Sequence, residues 1–328
     1  MKLKNISLTL LIFTISIITN CAAIDGLIGQ GNKPTFELKD IAISSITLND
    51  INLKIFTAIK NPYPIDIPRS DLNMKLLIED SKFSTIKTDL GKIKSKSSQA
   101  LPLDVNLKYS DLKALYDKLP GKELLKVKLD GLVSVPIPST FQIAGKESLE
   151  FPFLESKDIP TVLPTIEIKN FKIIKPDPQK VASSVNSGQA QSAAVSYLDS
   201  LLGGRPTSLS SAASAGLDSV DLDVDTEFDI KKKNQASSKL NFKDLNYDLS
   251  LSGDKFMAGK PKDIINNGKE STVKVKSSFP LKSVSTGIAY AIQKKSANFH
   301  LVGDSGLKVD GISDNLKFDY DKSGNFKW

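Results

Sequence analysis

With 328 residues the chain is long for one hydrophobic core and sufficient for two domains of ordinary size. Its 40% hydrophobic and 7% aromatic content excludes a disordered chain and one that spans a membrane throughout. The net charge of +7 comes from lysines scattered along candidate strands, which argues against nucleic-acid binding; one cysteine excludes an internal disulfide, and one histidine leaves almost nothing to hold a transition metal.

The chain opens "MKLKNISLTLLIFTISIITNC", with Lys2 and Lys4 ahead of an apolar run from Ile6 to Ile18. That is the layout of an export signal, and it is too short for a good transmembrane span. The end of the run, Thr19-Asn20-Cys21, resembles the lipobox of bacterial lipoproteins, in its looser spirochaete form because Asn20 replaces the usual small residue. The resemblance implies a signal peptide over residues 1–21 and a covalent lipid on Cys21. A plain secretory signal with an incidental cysteine is the alternative. Acylation would hold the protein to the inner or outer membrane of the cell envelope, facing the periplasm or the surface, with more than one acyl chain needed for stable anchoring. Residues 22–33, with Gly26, Gly29 and Gly31, read as a flexible tether.

From Pro34 the pattern is that of β-structure. "PTFELKDIAI" opens the first unit, and "ITLNDINLKIFTAIK" puts Ile51, Leu53, Ile55, Thr57 and Ile59 on one side of a strand. "LNMKLLIE" and "ALPLDVNL" continue the series. Ser110 is a candidate N-cap for "SDLKALYDKL", which carries Leu112, Leu115, Tyr116 and Leu119 on one helical face. Two strand patterns follow, "LLKVKLDGLVSV" and "TFQIAGKESLEFPF".

The same order then returns. Pro164–Ile173, "PTIEIKNFKI", aligns with Pro34–Ile43 at an offset of 130, and Asn234–Phe256 aligns without a gap on Asn61–Phe83 at an offset of 173. A duplicated unit explains one register held over such a length. The change of offset puts 43 extra residues into the second copy, and the Ser/Ala/Gly-rich composition of about 176–219 locates them. Within this insertion Gln189–Leu202 fits a helix with Val195, Leu198, Leu201 and Leu202 on one face; a flexible loop is the alternative. Ser283 occupies the N-cap place of the second copy's helix, "SVSTGIAYAIQKK".

The order of elements, with Asn-Pro closing a strand in "IFTAIKNPYPIDI", resembles the WHy domain of group 2 late-embryogenesis-abundant (LEA) proteins. The resemblance covers Pro34 to about Pro152 and, less fully, Pro164–Trp328. Where the family carries Asn-Pro-Asn, this chain has Asn61-Pro62-Tyr63 in the first copy and Asn234-Gln235-Ala236 in the second. It implies a mainly β fold of two tandem fibronectin-III/immunoglobulin-like antiparallel β-sandwiches, over 34–160 and 161–328, each with one short helix. It also implies no catalytic centre and a link to desiccation or other stress. Locally, Pro62 cannot donate to a ladder and the Asn61 amide can bond nearby backbone, so the expected role of this motif is structural.

Three other stretches could carry chemistry. "GDSG", Gly303–Gly306, has the surroundings of a serine-protease nucleophile, but His300 lies three residues away on the same strand and cannot fold back onto it, so a turn is expected. "DYDKSG", Asp319–Gly324, has half of a calcium loop, and a hairpin turn is expected there. Asp221, Asp223 and Asp225 share one strand face, either as solvated carboxylates or as a weak Ca²⁺ site. No nucleotide fingerprint is present. The expectation is therefore a non-catalytic envelope lipoprotein without a further cofactor, acting in desiccation or osmotic stress protection. The alternative is a lipid- or protein-binding module serving as a carrier, in envelope maintenance or in host interaction. Its partners would be the membrane, envelope proteins or an apolar ligand.

Overall fold

The structure, a computed structural model, describes residues 33–118, 120–137, 147–184, 188–203, 221–310, 312 and 315–328. The expected signal peptide, Cys21, nearly all of the expected tether and the second half of the insertion lie outside the described residues. Alternating apolar and polar residues produce a mainly β protein of the sandwich class with a few short helices. The first copy's elements are β1 (Thr35–Ile46), β2 (Asp50–Lys60), β3 (Ile67–Ile78), β4 (Ser81–Ile93), β5 (Ser98–Lys108), α1 (Tyr109–Lys118), β6 (Leu124–Pro136) and β7 (Ser148–Pro160). There follow β8 (Pro164–Ile174), α2 (Pro178–Ser183), α3 (Gly188–Leu202), β9 (Asp223–Asn234), β10 (Leu240–Phe242), β11 (Asn246–Leu251), β12 (Asp254–Gly259) and β13 (Ile264–Asn266). The chain ends with β14 (Glu270–Pro280), α4 (Thr286–Lys294), β15 (Ser296–Val309) and β16 (Leu316–Lys327).

The strand path β4-β3-β6-β7 recurs position for position as β12-β11-β15-β16, with β10 pairing β15 beside β11. The tight turns recur as well. Glu79 and Asp80 are left-handed between β3 and β4, as are Ser252 and Gly253 at the equivalent turn between β11 and β12. Two successive positive φ angles match the right-handed strand twist of a two-residue hairpin.

The chain forms two compact units: one takes in residues up to Ala42, Lys54–Val105 and Leu125–Ile159, the other Ile43–Leu53, Asn106–Leu124 and Pro160–Trp328. In the first unit, the inward side chains of β3 (Leu72, Met74, Leu76, Ile78) and β6 (Leu125, Val127, Leu129) are fully buried, with Ile55 and Ile59 of β2. In the second unit a four-stranded sheet runs β13-β14-β9-β8, and a second sheet runs β12-β11-β15-β16 and on to β1 through a short parallel contact, Ser45 beside Lys317 and Ile46 beside Phe318. Phe228, Ile230, Leu249, Leu301 and Phe318 are buried in this unit.

The helical half of the insertion is ordered on the second unit. Asp177 caps α2 by accepting from the Gln179 N–H at 2.8 Å, with Pro178 at the first helical position. The buried face of α3 is Ala194, Tyr197, Leu198 and Leu201, while Val195 and Leu202 are half-exposed, and α3 packs on α4. Relative to the sequence expectation the face is rotated toward Tyr197, which adds its ring to the contact. The N-cap of α4 is Ser285, accepting from the Ile288 N–H at 3.1 Å; Ser283 closes a 3-10 turn with its hydroxyl on the Pro280 carbonyl.

Two expected turns are strand. Gly303–Gly306 lies within β15 and Asp319–Gly324 within β16, and the two strands pair without interruption from Ser296↔Lys327 to Leu307↔Leu316. The glycines serve as seats for aromatic rings on the facing strand, Gly303 opposite Tyr320 and Gly324 opposite Phe299. A Cβ at position 324 would stand 2.7 Å from the Phe299 ring, and one at 303 would overlap the Asn246 carbonyl and the Tyr320 hydroxyl that bonds it. Ring-over-glycine packing across strands is a close backbone approach, not a turn signal. Gly303→Ala is therefore expected to destabilise the second unit by about 3 kcal/mol, the upper end of overpacking costs. Urea denaturation checks it; an unchanged midpoint would refute the seat.

Candidate functional site

The motif residue Asn61 is fully buried at the exit of β2, and its side chain ties together the loops around it. Its Nδ2 donates to the carbonyls of Ile65 (2.9 Å), Lys94 (3.0 Å) and Ile93 (3.2 Å), and its Oδ1 accepts from the Tyr63 N–H at 2.9 Å. Pro62 withholds a donor here, and Tyr63 closes the loop by accepting from the Lys96 N–H at 2.9 Å. The Tyr63 ring is buried, its hydroxyl has no hydrogen-bond partner among the described residues, and burial pushes the phenol pKa up.

Asn234 repeats this geometry at the exit of β9. It too is buried, donating to Ser238 O, four residues on, at 2.6 Å and accepting from Ala236 N, two residues on, at 3.3 Å. It also accepts from the Leu163 N–H at 2.7 Å. Around it the buried hydroxyls of Thr161 and Ser238 bond the Glu123 carbonyl at 3.1 and 2.5 Å. Both asparagines thus have their polar atoms engaged by backbone, an arrangement that supports loop geometry and offers nothing outward.

The other candidate chemistry is dispersed by the fold. Ser305 of "GDSG" is buried and donates to Asp244 O at 2.6 Å, while His300 pairs with Asp321 at 2.9 Å on an exposed face. Asp221 pairs with Lys282 and Asp225 with Lys180, and no group of three His, Cys, Asp or Glu among the described residues is arranged to hold a metal.

One residue escaped the sequence reading. Lys232 sits on β9 in the inward series with Phe228 and Ile230, and its side chain is fully buried. Its Nζ has no hydrogen-bond partner among the described residues and lies 5.3 Å from the centroid of the Phe242 ring. The flanking Ser271 of β14 gives its hydroxyl to Asn266 instead, and the other neighbour is Ile166 of β8. Desolvation lowers its pKa from 10.5 to about 7. A signal for it was present: at the repeat offset of 173, Lys232 falls on Ile59, a buried core residue.

No family model matches this chain, and no curated protein matches it. Solved structures similar to it include an Arabidopsis thaliana protein, 16% identical, covering 40% of this chain and 82% of its own, with a TM-score of 0.33. A proposed late embryogenesis abundant (LEA) protein is 16% identical over 47% of this chain and 88% of its own, at 0.32. A protein from Archaeoglobus fulgidus is 13% identical over 39% and 98%, at 0.29. A LEA protein is thus among the fold neighbours at low identity and partial coverage, and at these scores none of them carries a function to this chain.

Two stability measurements follow from the buried polar groups. Asn61→Asp aims a carboxylate at three carbonyls, and is expected to cost the first unit about 3 kcal/mol at neutral pH. Wild-type stability by urea denaturation would show that the knot contributes nothing. For Lys232 the unfolded amine takes its proton below pH 10.5 and the folded one only below about 7. Stability is therefore lost as pH falls through that window and stays low beneath it, by roughly 5 kcal/mol at most. Lys232→Ile is expected to raise the unfolding free energy strongly at pH 6 and little at pH 10.5; an equal gain at both would refute the buried neutral amine.

Proposed function

We propose that this chain is a non-catalytic lipoprotein of the cell envelope, acylated on Cys21, carrying two tandem LEA-like units that protect neighbouring components during dehydration or osmotic shock. The observation that supports the reading best is the outward face of the sheet β13-β14-β9-β8. There the register sets opposite charges side by side on adjacent strands: Lys169, Asp229 and Lys274 stand in one row, Lys172, Glu227 and Lys276 in another. Glu167 faces Lys231, and Lys233 faces Glu270. Lys276 reaches Glu227 at 3.2 Å and Lys231 reaches Glu270 at 3.2 Å.

Each such pair contributes little to stability, roughly 0.2–1 kcal/mol. Their value in this reading is chemical. A rigid face that alternates ammonium and carboxylate can replace water at almost any polar surface, donating to phosphates and carbonyls and accepting from amides. Its internal compensation keeps it from binding one partner tightly. The lipid on Cys21 and the tether of 22–33 would hold that face close to the membrane whose components dry.

The test is to freeze-dry a labile enzyme with the soluble body and with an equal mass of albumin. Greater recovery with this protein is expected, and it should fall when Lys169, Lys231 and Lys276 are changed to Gln; recovery no better than with albumin would sink the protective role. In cells, Cys21→Ala should abolish palmitate incorporation and release the chain from membranes, and equal anchoring would overturn the lipoprotein reading.

A further inference from the structure

Lys232 is a buried titratable group to which the protective role gives no use. The residues that face it are Ile166 of β8, Ser271 of β14 and Phe242 of β10, and none of them carries a charge. The charged groups of the surrounding elements stand elsewhere. Lys231 and Lys233 alternate with Lys232 along β9, and with Glu167 and Glu270 opposite them they occupy the outward face. Lys308 of β15 lies beside Asn241 and not beside Phe242, and Lys239, just before β10, is paired with Asp310 at 3.5 Å. No acceptor reaches the Lys232 Nζ among the described residues.

The cover over this amine is slight. Below it, β9 pairs with β14 from Asp223 to Lys233 and with β8 on its other side, so the sheet cannot part locally. Above it, β10 has three residues and lies off the main path of its sheet, where it pairs β15 only through Leu240, Asn241 and Phe242. Its other ties go to the turn between β13 and β14. The Leu240 N–H donates to the Gly268 carbonyl at 2.9 Å. Asn266 then clamps Phe242, accepting from its N–H at 3.1 Å and donating to its carbonyl at 3.0 Å. Asn266 is exposed, so water competes directly for both bonds.

An ammonium under the Phe242 ring has neither water nor a hydrogen-bond partner, and that is the costly way to bury a charge. The covered amine holds a proton only below about pH 7, and an uncovered one holds it below 10.5. Lifting β10 gives the protonated amine its hydration and leaves both long ladders intact. By linkage, the opening grows easier as pH falls from 10.5 to about 7 and levels off beneath that.

We propose that β10 is a strap over Lys232 that protonation of the amine releases, so that this corner of the second unit loosens toward the acid side and closes toward the alkaline side. The device is independent of the protective role above, and the failure of either leaves the other intact.

The amides of Leu240 and Phe242 report on the strap, because their hydrogen bonds are the ones it must break. Hydrogen exchange of the full chain carrying Cys21→Ala, corrected for the hydroxide dependence of amide exchange, gives their opening constants. Those constants should be roughly fiftyfold larger at pH 7 than at pH 9, and at both values larger than the global unfolding constant from urea denaturation. Lys232→Ile should remove the pH dependence. If isoleucine unsettles the core, Lys232→Met keeps the length of the side chain without its charge and should do the same. Exchange of Leu240 and Phe242 only at the global rate, opening that is equal at the two pH values, or the same dependence in a folded Lys232 variant would each overturn the proposal.

Discussion

A strand that leaves a sandwich core through a loop leaves backbone carbonyls at the rim of the core that no ladder reaches. In both copies one asparagine answers that constraint. Asn61 and Asn234 each accept from the residue two positions on and donate to the carbonyl four positions on. Unpaired, those groups would cost on the order of 1–3 kcal/mol apiece, enough to open the end of the sandwich. With the exits closed, the strands that follow fall into the same path, β4-β3-β6-β7 in one copy and β12-β11-β15-β16 in the other.

Asparagine suits this place because it carries a donor and an acceptor on one rigid amide. Aspartate has no donor for the three carbonyls around Asn61, and serine is too short to span the loop. The proline after Asn61 is dispensable by comparison. The second copy has Gln235 there and keeps the loop, recruiting the hydroxyls of Thr161 and Ser238 where the first copy relies on a rigid ring.

Much of the fold was legible in the sequence because alternation is a local signal. Ile51, Leu53, Ile55, Thr57 and Ile59 read as one face and are all buried. What failed was anything set by the facing strand. "GDSG" and "DYDKSG" carry the composition of turns, yet they pair as strand because Tyr320 and Phe299 each need a glycine opposite. The charge rows across β8, β9 and β14 were equally invisible, since the lysines and acids lie far apart in sequence until register brings them together. Phe171 read as part of a regular strand, and only the slip at Asn170 turns it inward among the rings of Phe228 and Phe326.

Lys232 shows how the two copies have parted. Where the first copy fills its core with Ile59, the second holds an amine that burial keeps from its usual charge. Such a group lowers stability at neutral pH, so the unit that holds it needs compensation elsewhere. Its extra material points that way. The insertion adds α3, whose Leu198 and Leu201 are buried in packing on α4, and beside it the Phe171 ring meets those of Phe228, Phe256, Phe326 and Trp328. Burying a side chain of that size is worth about 1.5–3 kcal/mol, so a few of them offset the amine. The second copy therefore combines a less stable centre with a reinforced flank. That flank is where β8 slips at Asn170 and α4 ends on the left-handed Lys295.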